Sequence, residues 1–157
     1  MTTETDFYFE DLSGHRWSLK CSLADAMMLE ENPKIAVSPD MFADERAAKS
    51  LLFRLSTETF LSLRIVVELT RAQRQGQSVE YEGETIDVSD DRQFCQLLEG
   101  KVLDKASRAF LAGLANVTPK LVRVGILEAL ESFDREMETA AAQIPDAIRK
   151  AASVIGS

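Results

Sequence analysis

The side chains with the type and spacing to do chemistry together are cations. Lys101, Lys105 and Arg108 fall at i, i+4 and i+7, which puts them on one face of a helix. Arg64, Arg71 and Arg74 make a similar set. Such a stripe can contact an anion or nucleic acid, because a local basic patch outweighs net charge within a Debye length of about 10 Å. Two features oppose that reading. No aromatics are interleaved with the stripes, and acids such as Glu68 and Asp104 lie beside them. A salt-bridged, solvated face is the simpler expectation.

Metal and nucleophile chemistry finds less support. His15 is the single histidine, so neither paired Glu-x-x-His ligands nor a His-x-x-x-His zinc helix can be built. Cys21 and Cys95 are too few for a zinc-ligand array. Asp87-Val-Ser89-Asp-Asp91 imitates a calcium loop, but the sixth position is Arg92 and the twelfth is Leu98. Ser89, Asp90 and Asp91 read better as helix caps. Cys21 shares a strand face with Trp17 and Leu19, which predicts a buried, inert thiol. His15 sits at a turn, and no Gly-x-Ser-x-Gly elbow or glycine-rich phosphate loop is present. Pro39-Asp40 and Glu99-Gly-Lys101 hold the letters of a metal-dependent nuclease, but that chemistry needs Glu-x-Lys on a strand and here it closes a helical segment. Glu128, Glu131 and Arg135, at helical spacing, read as a solvated face with an ion pair. The expectation is therefore no catalytic residue, no metal, no cofactor and no enzyme.

The elements that position these residues make an α+β, predominantly helical chain. Phe7–Asp11 and His15–Leu19 flank Leu12-Ser13-Gly14, a three-residue hairpin loop with glycine last. That register sets Phe9 opposite Trp17 and Phe7 opposite Leu19 on one face, with Glu10 facing Arg16 on the other as an opposite-charge pair. Ser22 and Asp25 resemble a capping box for a helix through Glu31, ended by Asn32-Pro33. Lys34–Val37 could add a short third strand. Ser38-Pro39 starts a helix running to about Gln75, with Ser56-Thr57 as its place to break. Its apolar stretch, about 51–69, covers most of the circumference and predicts a central helix or one covered by another subunit.

Gly76 stops that helix. A second hairpin, near 79–88, turns at Glu82-Gly83 with Val79 opposite Ile86. A helix follows to about Leu114, interrupted at Gly100, and Thr118-Pro119 restarts another with Val122, Ile126, Leu130, Phe133 and Met137 on one side. Ile144, Ile148, Ala152 and Ile155 form the stripe of a last helix, for about five helices in all.

Bulk composition narrows the class. At 157 residues, 45% apolar and 28% charged, residues 1–157 read as a single compact domain. A net charge of −8 opposes general affinity for nucleic acid or anionic membranes, favours solubility and leaves open a basic partner. Met1–Asp6 has no secretory pattern and no apolar run approaches a membrane span. Two cysteines suit a reducing, cytoplasmic setting.

The reading that results is a non-enzymatic protein that binds a protein partner: an inhibitor, an immunity-type or chaperone-like factor, or a small subunit of an assembly. The apolar strip Ile144, Ile148, Ala152 and Ile155, or the edge of the first hairpin, would meet the partner, and homo-oligomerisation stays open. The alternatives are a nucleic-acid-associated subunit using Lys101, Lys105 and Arg108, and an enzyme with no recognisable motif.

Overall fold

Short loops and aromatic alternation close the first hairpin as the residues demand. The structure, a computed structural model, describes residues 7–135. Strand β1 (Tyr8–Glu10) pairs antiparallel with β2 (Arg16–Ser18), with Phe9 opposite Trp17 and Glu10 opposite Arg16. Gly14, at φ +86°, donates its N–H to the Asp11 carbonyl at 3.0 Å and completes the expected loop. The buried Asp11 carboxylate accepts from Ser13 N–H (2.8 Å), Ser13 hydroxyl (2.5 Å), His15 N–H (3.2 Å) and the Trp17 indole N–H (2.8 Å). Phe7, Phe9, Trp17 and Leu19 are buried together. On the opposite face, the Arg16 guanidinium lies over the Tyr8 ring, 4.7 Å from its centroid.

Helix α1 (Leu23–Glu31) opens on the expected capping box. Ser22 Oγ accepts from Asp25 N–H at 3.1 Å, and Asp25 accepts from Ser22 N–H at 3.0 Å. The segment Lys34–Val37 is not a strand. The Asn32 carbonyl accepts from both Ile35 and Ala36 N–H, and Ala36 has φ +51°, so the chain turns there instead of extending into a ladder. Its Ile35 and Val37 side chains are nonetheless buried. Pro39–Ala43 is a single 3₁₀ stretch, capped by Ser38.

The apolar run at 51–69 is two helices, α2 (Glu45–Thr57) and α3 (Thr59–Arg74), joined at the extended Glu58. Asp44 caps the first by accepting from Arg46 and Ala47 N–H. The break explains the apparent all-round apolarity. Leu51, Leu52 and Leu55 face the core from α2, and Leu61, Ile65 and Val66 face it from α3. Phe53 and Phe60, near the bend, stay 68% and 66% exposed.

Gly76 ends α3, and β3 (Ser78–Tyr81) pairs with β4 (Glu84–Asp87) in the expected register, Val79 opposite Ile86. Asp90 caps α4 (Asp91–Cys95) by accepting from Gln93 N–H. The chain then turns at Gly100 into α5 (Lys101–Val117). This helix is buried beside residues 51–69: Phe110 through Ala115 are all buried, and it packs on both α3 and β1. The Thr118 hydroxyl donates to the Ala115 carbonyl at the end of α5.

A sixth helix, α6, is described over 120–135, and its Val122, Ile126, Leu130 and Phe133 are buried as expected. Met137 and the strip Ile144, Ile148, Ala152 and Ile155 lie outside the described residues. The buried apolar side chains form one continuous cluster. Two helix-interior glycines let backbones meet. A Cβ at Gly113 would strike the Leu19 carbonyl, and one at Gly125 the Phe42 carbonyl.

Candidate functional site

Only part of the first basic stripe converges. Lys101, Lys105 and Arg108 are all exposed on α5. Lys105 and Arg108 form one wall of a cleft of about 400 Å³, whose other wall is the first hairpin with Tyr8, Glu10 and Arg16. Lys101 does not line it. Arg108 donates through Nε to both carboxylate oxygens of Asp134 on α6, at 3.0 and 3.2 Å. Arg16 joins the cluster from another element, so helical spacing could not have found it. Tyr8 supplies the aromatic surface that the stripe lacks in sequence.

Two residues of the second stripe, Arg71 and Arg74, are structural. Arg64 is exposed, and Arg71 bridges Glu68 (2.8 Å) and Asp91 (3.2 Å), which holds its guanidinium above the usual arginine range, chiefly through the Glu68 hydrogen bond. Arg74 has 0% exposure, contrary to the solvated face expected. It donates to Thr70 Oγ1 (3.0 Å), the carbonyls of Val67 and Val88 (2.8 Å each) and Asp91 (3.0 Å), and lies 4.5 Å over the Phe94 ring. A guanidinium can be buried here because its planar fork finds an acceptor on every side. It fastens α3 to the residues that enter α4.

The candidate nucleophiles are poorly placed. Cys21 is fully buried, and burial foremost, with the Asp25 charge second, pushes its thiol from 9.0 up to about 12. Half-buried Cys95 is also raised, again mainly by burial. The His15 ring packs 4.3 Å from the Trp17 ring. Asp87 accepts from Ser89 N–H and hydroxyl while Asp90 caps α4, so the calcium-like letters are spent on turns and caps. Among the described residues, no group of three or more His, Cys, Asp or Glu side chains could hold a metal ion.

The hairpin edge is not free at Ser18. Gln73 of α3 accepts its N–H (2.9 Å) and donates to its carbonyl (2.6 Å). A different apolar surface opens between the 3₁₀ stretch, α2 and α6. It is a groove of about 310 Å³ whose apolar lining includes Phe42, Ala48, Leu52, Leu121, Val124 and Ala129. Leu121 is 83% and Val124 46% exposed, while Glu45, Lys49 and Glu128 form a rim with more acid than base. Glu45 and Lys49 pair with each other at 3.1 Å. The sequence signal for this groove was Leu121 and Val124, a second pair at i, i+3 beside the buried stripe of α6. The packing of Gly125 against Phe42 sets the groove's width.

No known protein family, curated protein or solved structure matches the chain.

Proposed function

We propose that this chain is a non-enzymatic binding protein that seats an amphipathic, basic-flanked helix of a protein partner in the groove between α2 and α6. The observation that carries the reading is the groove itself, with Leu121 left 83% exposed beside Val124. A large side chain so exposed is ordinary when alone, but here it borders an apolar concavity, the shape that takes a helix through i, i+3 and i+4 anchors. The rim and the net charge of −8 select a cationic flank on the partner. Inhibitor, immunity-type factor, chaperone-like factor and small assembly subunit are all forms of this activity. We place it in a reducing, cytoplasmic setting, in keeping with two free thiols and with no helix among the described residues long and apolar enough to cross a membrane.

The test uses two synthetic helical peptides with the same leucine face, one flanked by lysines and one by glutamates, read by fluorescence anisotropy. The lysine peptide should bind, the glutamate peptide should bind at least about tenfold more weakly, and Leu121→Asp should weaken the lysine peptide about tenfold or more. Equal binding of both peptides, or binding untouched by Leu121→Asp, would remove the groove as the site.

A further inference from the structure

We infer that the cleft between the first hairpin and α5 is a second binding site, specific for a phosphate monoester. It shares no residue with the groove and stands independently of the partner-helix reading. Three cations from two elements border it: Arg16 from β2, and Lys105 and Arg108 from α5. Glu10 lines it too, and Asp134 holds Arg108, yet the cations outnumber these carboxylates.

The cations differ in how they are held. The Tyr8 ring lies under the Arg16 guanidinium, which fixes the plane of that fork without using its N–H groups. Asp134 anchors Arg108 through Nε and leaves its terminal nitrogens for a ligand. Among the described residues, neither Arg16 nor Lys105 has a carboxylate within ion-pair distance. In a chain of net charge −8, three cations at one concavity, two of them without an ion pair among the described residues, make a local anion site.

Phosphate fits better than carboxylate. A planar carboxylate is satisfied by one guanidinium fork, whereas a tetrahedral dianion accepts from two forks and an ammonium at once. A cleft of about 400 Å³ admits one phosphorylated group with part of its carrier. It does not provide the extended, aromatic-studded track that a nucleic-acid strand uses, and the chain's net charge repels a long polyanion.

Inorganic phosphate, AMP and a phosphoserine peptide are titrated separately at low salt into the full chain and followed by backbone amide shifts. Saturable shifts at Tyr8, Arg16, Lys105 and Arg108 with at least one probe support the site. AMP binding tightest places the phosphate on a small molecule, and the peptide binding tightest places it on a partner side chain. Arg16→Gln and Arg108→Gln should each weaken binding about tenfold or more, since a hydrogen bond to a charged group is being lost. Lys101→Gln, outside the cleft, should stay within about twofold of wild type. No saturable shift with any probe, or unchanged titrations in Arg16→Gln and Arg108→Gln, overturns the inference. So does tighter binding of an oligothymidine strand than of AMP, because that would make the basic face a nucleic-acid track.

Discussion

Replacing Gly125 with alanine sets two physical effects against each other at one site. Gly125 lies inside α6, where helix propensity alone favours alanine by about 0.8–1.0 kcal/mol. The structure opposes this, because the new Cβ would run into the carbonyl oxygen of Phe42. Overpacking typically costs about 1–3 kcal/mol, and a backbone carbonyl cannot rotate away as a side chain can, so the upper end applies. The balance is a net loss of about 2 kcal/mol. For a protein of this size that lowers Tm by about 4–8 °C. Urea denaturation followed by circular dichroism at the helix band gives the free energy, and a thermal scan gives the Tm. An alanine variant as stable as wild type, or more stable, would show that α6 does not approach Phe42 this closely. It would also remove the argument for the groove's width.

Gly113→Ala should also destabilise, by comparable overlap with the Leu19 carbonyl, and a stabilised variant would contradict the α5–hairpin packing. Arg74→Ala strips donors from the carbonyls of Val67 and Val88 and from Thr70, and should cost about 3–5 kcal/mol in urea denaturation. Asp91→Ala removes the charge partner of that buried guanidinium but leaves it Thr70 and the carbonyls of Val67 and Val88 as acceptors, so it should cost less than Arg74→Ala; the reverse order would contradict the buried clamp. Cys21 gives a pH test. Its thiol stays protonated in the native protein up to about pH 12, whereas the unfolded thiol ionises near 9.0. The unfolded state therefore binds fewer protons between those values, and stability falls as pH rises through that window. Cys21→Ala should flatten the fall in urea midpoint relative to wild type, and parallel curves would contradict the buried thiol.

Much of the fold is legible in the chain wherever a local rule acts alone. Gly14 and Glu82-Gly83 mark loops whose length determines register, and Val122, Ile126, Leu130 and Phe133 mark the buried face of α6 by spacing. The Ser22/Asp25 box is visible for the same reason. What stays hidden depends on residues distant in sequence. The bend at Glu58 carries no side-chain cap, so two half-apolar helices look like one apolar cylinder. Arg74 looks like a surface cation because arginine is almost never fully buried unless paired, and two of its partners, Val88 and Asp91, lie beyond a hairpin.

The candidate sites are still less legible. The spacing of Lys101, Lys105 and Arg108 was right for a helix face, but the cleft takes two of them and adds Arg16 and Tyr8 from β2 and β1. Nothing local marks Gly113 and Gly125, because the carbonyls they admit, of Leu19 and Phe42, are distant in sequence.

Groove binding is tested most directly by affinity capture from native host cells with tagged wild type, Leu121→Asp and Phe53→Asp, joined to mass spectrometry and the oligomeric mass of the purified chain. Phe53 is the control, since it is 68% exposed on α2 but does not line the groove. The expected result is one protein recovered with wild type and Phe53→Asp and lost with Leu121→Asp, with protection from hydrogen exchange at 39–52 and 121–132 when it is bound. Equal recovery by all three chains, no recovery by any, or a homodimer that Leu121→Asp dissolves would contradict a partner helix in the groove.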